Sequence, residues 1–259
     1  MSSFENETVW IVGASSGIGR ALAVALAKRG ATLLLSARRE DELNALNLEL
    51  GGGHVVLPFD VSVREEVEKA VQYIKDKKLI LNRAIFMAAI YTPQTIKDMD
   101  LEFAERMVNV NVLGCFYFSK QVFELLLEQT EVKGQTSGVK QIALCGSVAA
   151  YSGLPKGQPY SATKAAVKNF AESLYSEAPS LIDVKLISPG FVRSRITDLN
   201  DFDMPYIMEP EAAVQRILKG LKSNRFEIHF PKRLSLQLKL LSILPNWLVR
   251  KLTRWFMLS

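Results

Sequence analysis

The chain has 259 residues, 48% of them hydrophobic and 23% charged, with a net charge of +5. That balance fits one large domain with a substantial core and excludes disordered, fibrous and repetitive classes. The charge is uneven. Residues 231–259 hold Lys232, Arg233, Lys239, Arg250, Lys251 and Arg254 and no acidic residue, so the remainder is slightly negative and gives no support to nucleic-acid binding. Cys115 and Cys145 sit in apolar stretches, as small buried side chains in a reducing compartment do. With His54 and His229 far apart in sequence, no metal site is expected. No uniform run reaches transmembrane length and residues 1–7 do not read as a signal peptide, so a cytoplasmic protein is expected.

Val9-Trp10-Ile11-Val12 reads as a buried strand, followed by the turn Gly13-Ala14-Ser15-Ser16-Gly17-Ile18-Gly19 and a helix over 21–28. Strand, glycine turn and helix are the context of a dinucleotide site. Glycine lets the backbone approach a pyrophosphate, and the helix start offers free N–H groups to it. The spacing is not G-x-G-x-x-G, and a helix-opening turn without a ligand is the plainer alternative. A second strand over 31–36 ends at Ala37-Arg38-Arg39. An acidic residue there would accept from a ribose 2′-hydroxyl and favour NAD, whereas an arginine fork suits a 2′-phosphate and favours NADP. The plainer alternative is two arginines opening a solvated helix. A helix over 40–50 stops at Gly51, Gly52 and Gly53. A third strand spans 54–59, where Asp60 either caps the next helix or receives an adenine amino group. The helix over 63–77 is apolar at Val67, Ala70, Val71 and Ile74. A fourth strand, 84–87, ends at the small Ala88 and Ala89, which leave room for a cofactor. A long helix over 100–129 contains Asn109 and Asn111, against propensity. Asn111 either distorts the helical ladder and frees a carbonyl or is a satisfied core residue. Residues 130–138 read as a polar surface loop.

A fifth strand, 140–145, delivers Ser147 to its end. Tyr160 and Lys164 follow on one face of a helix running to about residue 177. A phenol is a poor acid or base at neutral pH, and a nearby ammonium brings it toward working range. Ser147 can donate to a carbonyl or alkoxide. A sixth strand over 183–188 leads to Pro189-Gly190. The segment 191–209 holds Phe202, Met204, Pro205, Tyr206, Ile207 and Met208 and reads as a substrate lid or as plain packing. A helix over 211–221 and a strand over 226–230 close the body. Two helical stretches, 232–244 and 247–258, form a tail broken at Pro245. Leu248, Leu252, Trp255 and Phe256 make one apolar face, with Arg250, Lys251 and Arg254 largely off it. Such a face settles on an anionic membrane surface, or packs on the body or across a dimer.

Together these motifs resemble the classical short-chain dehydrogenase/reductase family over residues 5–230. The matches are the turn from Gly13 to Gly19, the spacing of Ser147, Tyr160 and Lys164, Asn111 in Asn111-Val112-Leu113-Gly114, Asp60-Val61, and Pro189-Gly190. The resemblance implies a doubly wound α/β Rossmann fold, one domain with about seven parallel strands, plus a basic helical tail. The division is a body of residues 1–230 and a tail of 231–259. It implies an NADP(H)-dependent oxidoreductase that reduces a carbonyl or oxidises a secondary alcohol. A non-catalytic NADP(H)-binding sensor or scaffold of the same fold is the alternative. In the family pattern Tyr160 transfers the proton, Lys164 holds the nicotinamide ribose, Ser147 positions the carbonyl and Asn111 supports a relay water. The implied cofactor contacts are Gly13, Ser15, Ser16, Gly17, Ile18, Gly19, Arg38, Arg39, Asp60, Val61, Ala88, Tyr160, Lys164, Pro189, Gly190, Val192 and Ser194. A homo-dimer or homo-tetramer is implied as well. Two positions depart from the pattern: Val12 stands where the family has Thr, and Phe86-Met87-Ala88-Ala89 where it has Asn-Asn-Ala-Gly. Both are apolar together, so a packed contact is expected to replace a polar one. Ser194, where a Thr often stands, is a milder change.

Overall fold

Short runs of apolar residues alternate with amphipathic helices, and the chain uses them to build a parallel sheet covered on both faces. The computed structural model describes residues 4–131, 138–153, 155–194, 197–245, 247–249 and 251. The first half is β1 (Thr8–Val12), α1 (Gly17–Ala27), β2 (Thr32–Ser36), α2 (Glu40–Glu49), β3 (Val55–Val56), α3 (Arg64–Asp76) and β4 (Arg83–Phe86). Then come α4 (Leu101–Val108), a π-helical turn (Asn109–Leu113), α5 (Gly114–Glu131) and β5 (Gln141–Cys145). A 3-10 turn (Val148–Ala150), α6 (Tyr160–Glu177), β6 (Asp183–Pro189), a second 3-10 turn (Thr197–Leu199), α7 (Pro210–Leu221), β7 (Glu227–Phe230) and α8 (Lys232–Ile243) complete the order.

The seven strands are parallel and lie in the order β3-β2-β1-β4-β5-β6-β7. The order reverses between β1 and β4, which opens a crevice at the carboxyl ends of those strands. Alternation along the strands feeds two cores. Trp10, Val12, Ala84, Phe86 and Leu144 join the cluster with Val67, Phe118 and Val167. Val9, Ile11, Leu33, Leu35 and Ile85 join the one with Leu22, Leu26, Val214 and Ile217. Val12 and Phe86 are register partners on adjacent strands, both buried, and Phe86 packs on Phe118 at 5.4 Å between ring centroids. An apolar contact therefore stands where the family pattern has a polar pair.

Three expectations need correction. The third strand is only Val55–Val56, not 54–59. The helix expected over 100–129 is interrupted by the π-helical turn at Asn111 and extends through Glu131, so residues 130 and 131 of the expected surface loop are helical, and 132–137 lie outside the described residues. That continuous helical stretch, Leu101–Thr130, also has the length and mean hydropathy (1.2) of a membrane span, contrary to the sequence expectation. Half of its most apolar 18-residue window is buried inside the fold, as in a core helix. The first tail helix forms as α8. Of the second, residues 247–249 and 251 are helical, and 252–258 with Arg250 lie outside the described residues.

Candidate active site

The glycine turn is dictated by a close approach of two strand ends. Gly13 has φ +94°, and a Cβ there would lie 2.6 Å from the Ala88 backbone nitrogen. Gly17 has φ +54°, and a Cβ there would meet only Ser194 Cβ at 3.8 Å, so its outer side is open. Helix α1 begins at Gly17 with Ser16 as N-cap, no side-chain cap and no acidic residue in its first turn. Its first N–H groups are free to bind an anion. Ile18 packs on the core and Gly19 is buried. These features fit the pyrophosphate of a dinucleotide: an open backbone cradle with no carboxylate in it.

Arg38 and Arg39 project beyond β2, both more than half exposed. Arg38 lies 3.7 Å from the Asp60 carboxylate. Arg39 pairs with Glu42 at 2.8 Å and donates to Ser15 Oγ at 3.5 Å, which places a guanidinium beside the glycine turn. Asp60 does not cap the next helix, whose N-cap is Val63. Its Oδ1 instead accepts from Ser62 N and Oγ at 2.9 and 2.7 Å, while its own N–H donates to Glu66. The capping role is corrected on that geometry: the carboxylate closes a local turn. Val61 is buried next to it.

Helix α6 assembles the presumed chemistry. Tyr160 opens it, and Lys164 sits one turn on with its Nζ 5.6 Å from the Tyr160 ring centroid. Lys164 is 1% exposed and donates to the Cys145 carbonyl at 2.8 Å. Ser147 follows β5 by two residues. Its hydroxyl donates to Pro189 O at 3.4 Å and accepts from Ala149 N at 3.1 Å. Burial, with Cys145 beside it, pushes the Tyr160 phenol above its ordinary value, while a hydrogen bond with Ser147 pulls it down. The expected lowering by Lys164 is therefore not what this geometry gives: desolvation dominates, and the ammonium is engaged with a backbone carbonyl. Asn111 is fully buried. Its Oδ1 accepts from Ile90 N at 2.8 Å, and its Nδ2 donates to Ile90 O at 3.0 Å and Thr163 Oγ1 at 3.1 Å. It is thus a satisfied core residue that sits at the centre of a distorted stretch of helix.

Across the site, Pro189 ends β6 and Gly190 N donates to Phe230 O at 2.6 Å. Val192 is buried and bridges to Met208. Ser194 N donates to Thr197 Oγ1 at 2.8 Å, close to Gly17. Sequence reasoning missed Tyr91. Its ring meets Tyr160 edge-on at 4.8 Å, and its hydroxyl donates to Asn200 Oδ1 at 2.7 Å. Burial, with Tyr160 nearby, pushes the Tyr91 phenol up to about 12. It also missed Lys156, which pairs with Asp201 at 2.8 Å. No periodicity joins residues so far apart. A cleft of about 820 Å³ touches Ser15, Ser16, Gly17 and Ser194 but runs outward along α1, away from Tyr160. It is not the reaction site.

Comparison with known proteins identifies the family and the fold. The sequence profile of the short chain dehydrogenase family matches residues 7–203. An uncharacterized oxidoreductase of Myxococcus xanthus is 30% identical over 250 residues, covering 95% of this chain and 96% of that protein. The fold is similar to a short-chain dehydrogenase from Sphingobium yanoikuyae in complex with NADPH. The TM-score is 0.77 at 25% identity, over 98% of this chain and 95% of that one. It is also similar to a short chain dehydrogenase/reductase from Burkholderia phymatum in complex with NAD. There the TM-score is 0.80 at 20% identity, over 93% and 94% of the chains. The chain belongs to the short-chain dehydrogenase family and is an oxidoreductase that works with a nicotinamide dinucleotide on carbonyl or alcohol substrates.

Proposed function

We propose that the protein uses NADP(H) in preference to NAD(H), to reduce a hydrophobic aldehyde or ketone or oxidise the matching secondary alcohol. Tyr160, Ser147, Lys164 and Asn111 form the catalytic set. The observation that carries the reading is the gathering of these four side chains by α6, at the strand ends beside an uncapped glycine turn. The dinucleotide, when bound, supplies or accepts the hydride. Gly13, Ser15, Ser16, Gly17, Ile18 and Gly19 would cradle its pyrophosphate. Asp60, Val61 and Ala88 would flank its adenosine half, and Pro189, Gly190, Val192 and Ser194 its nicotinamide half. Ser147 donates to the substrate oxygen and holds it against Tyr160. Tyr160 gives its proton to that oxygen as negative charge develops. Lys164 would hold the ribose hydroxyls, and it ties down the strand end through the Cys145 carbonyl. Asn111, which clamps Ile90 from the π-helical turn, supports a water that reloads the phenol.

NADP preference rests on Arg38 and Arg39 at the end of β2, where no carboxylate occupies the Ala37 position. A charge-assisted bond of a guanidinium is worth about 1.5–3 kcal/mol, so NADPH should bind at least about ten-fold tighter than NADH, and Arg39→Ala should narrow that gap. Dissociation constants measured by fluorescence at one ionic strength decide it: equal affinities reject the preference. The hydrophobic substrate is favoured by Phe191 against Phe202 (6.0 Å between centroids), with Met204 and Met208 in the same lid segment.

The remaining readings have narrower support. Cys115 and Cys145 are buried free thiols whose burial raises their pKa, Cys115 to about 12, which suits a cytoplasmic protein. The tail, 231–259, is distinguished from the body, 1–230, by its basic charge, packs on it through α8, and makes peripheral membrane contact. Its exposed Leu236, Leu240, Ile243 and Trp247 support that contact. A homo-dimer or homo-tetramer follows from the family likeness and is tested by light scattering. The activity itself is tested with NADPH against benzaldehyde, 4-nitrobenzaldehyde, cyclohexanone and 2-decanone, beside Tyr160→Phe. Turnover lost in that variant is expected. Turnover retained removes Tyr160 from the mechanism.

A further inference from the structure

Glu227 lies on β7, eighty residues from Ser147, yet its carboxylate gathers the two segments that fix the Ser147 hydroxyl. Oε1 accepts from the Tyr151 hydroxyl and from Ser188 Oγ at 2.7 Å, and Oε2 accepts from Lys239 of α8. Tyr151 ends the 3-10 turn that starts at Ser147, a turn closed by Ala150 N to Ser147 O at 3.0 Å and Tyr151 N to Val148 O at 3.2 Å. Ser188 immediately precedes Pro189, whose carbonyl accepts from Ser147 Oγ. One carboxylate therefore fixes the spacing between the two backbone segments that hold the serine. Its side chain is 16% exposed, and the ammonium of Lys239, which also lies 5.3 Å from the Tyr151 ring centroid, balances its charge. A carboxylate is the group that can accept on both oxygens at once. An amide of the same shape would turn an N–H toward one set of donors.

We propose that Glu227 is a positioning residue for Ser147 and that Lys239 completes it, which makes the C-terminal helix α8 a working part of the active site. The proposal rests on the reading of Ser147 as the residue that orients the substrate carbonyl. In the full-length protein, Glu227→Gln and Tyr151→Phe are compared with Ser147→Ala and with the double variant Glu227→Gln/Ser147→Ala. The readouts are NADPH affinity, kcat and KM for the carbonyl of the above panel reduced fastest, and amide hydrogen exchange over residues 148–152.

Both single variants should bind NADPH like wild type and lose about ten-fold in kcat, since small misplacements of a reacting group are costly. Exchange over 148–152 should quicken by at least about ten-fold as the clamp opens. Adding Glu227→Gln to Ser147→Ala should cost nothing more, because a residue acting through Ser147 has no remaining target. A merely structural role would not produce that non-additivity. Wild-type kcat in Glu227→Gln, or the same loss with and without Ser147, overturns the proposal. If Ser147→Ala keeps full turnover, or if no carbonyl in the panel is reduced, exchange decides. Quicker exchange over 148–152 supports the clamp and unchanged exchange overturns it. If Glu227→Gln does not fold, Tyr151→Phe carries the same comparison.

Discussion

A phenol that is to protonate a nascent alkoxide must still hold its proton at the working pH. Burial keeps Tyr160 above its ordinary value of about 10, with the Cys145 thiol adding to the effect and Ser147 opposing it. The sign is clear: an acid with a raised pKa stays protonated throughout the neutral range and loses its proton only above pH 10. NADPH-driven reduction should therefore show no Tyr160 ionisation between pH 6 and 9. Tyr160→Phe should lower kcat by about 10²–10⁴-fold across that whole range, the usual worth of a positioned acid. A pH–rate profile checks this, and a basic limb near pH 8 that disappears in Tyr160→Phe would refute it. The Tyr160–Lys164 pair was legible in the sequence because four residues make one helical turn. The direction of the phenol's shift was not, because burial of Tyr160 and the approach of Cys145 arise only in the fold. Glu227 and Tyr151 were illegible for the same reason: seventy-six residues separate the two ends of one hydrogen bond.

At the scale of elements, the strand–helix order and the two-faced core could be read from apolar periodicity, because the central strands are short runs buried on both faces. What escaped was where elements yield to local hydrogen bonds, as at the π-helical turn that lets Asn111 clamp Ile90. The junction between β7 and α8 is another such place. His229 Nδ1 lies 2.7 Å from Ser235 Oγ, and Nε2 lies 2.8 Å from the Lys232 ammonium. An ammonium can only donate, so Nε2 accepts and the imidazole is neutral with its proton on Nδ1. Burial, then the charges of Lys239 and Lys232, push its pKa down to about 4. The unfolded chain takes up that proton near pH 6.5, so it binds more protons than the folded chain between pH 6.5 and 4, and stability falls as pH falls through that window. Glu227, held below its ordinary value, adds its loss only at the acid end. The urea midpoint should decline from pH 7 to 4.5, and His229→Gln should flatten that decline. Solvent reaches part of the ring, so the effect is modest. An identical slope in the variant would show that the imidazole does not titrate in this window.

The whole molecule is electrically lopsided, with the six basic residues of 231–259 set against a slightly negative body. Helix α8 is seated on that body by Leu234 and Ser235, both buried, and by Lys239 on Glu227. Its other face presents Leu236, Leu240 and Ile243, continued by Trp247, each more than half exposed. The spacing of four and three residues puts Leu236, Leu240 and Ile243 on one stripe of α8, which ends at Ile243, so Trp247 is exposed beyond the helix end. The sequence pointed instead to Leu248, Leu252, Trp255 and Phe256, of which all but Leu248 lie outside the described residues. An apolar stripe beside basic side chains matches the two forces that hold a helix at an anionic bilayer: apolar insertion and about 1 kcal/mol per lysine or arginine near the surface. Full-length protein should sediment with phosphatidylserine-containing vesicles and far less with pure phosphatidylcholine. Raising salt from 0.1 to 1 M shortens the screening length from about 10 to 3 Å and should release much of it. Leu236→Ser/Leu240→Ser/Ile243→Ser should weaken binding without unfolding the protein, since these side chains already face water. Removal of the whole tail would be a poor control, because it takes away Lys239 and leaves Glu227 half-buried without its cation. Equal binding to both vesicle types, or binding indifferent to the triple substitution, would leave the stripe as a surface for protein rather than lipid.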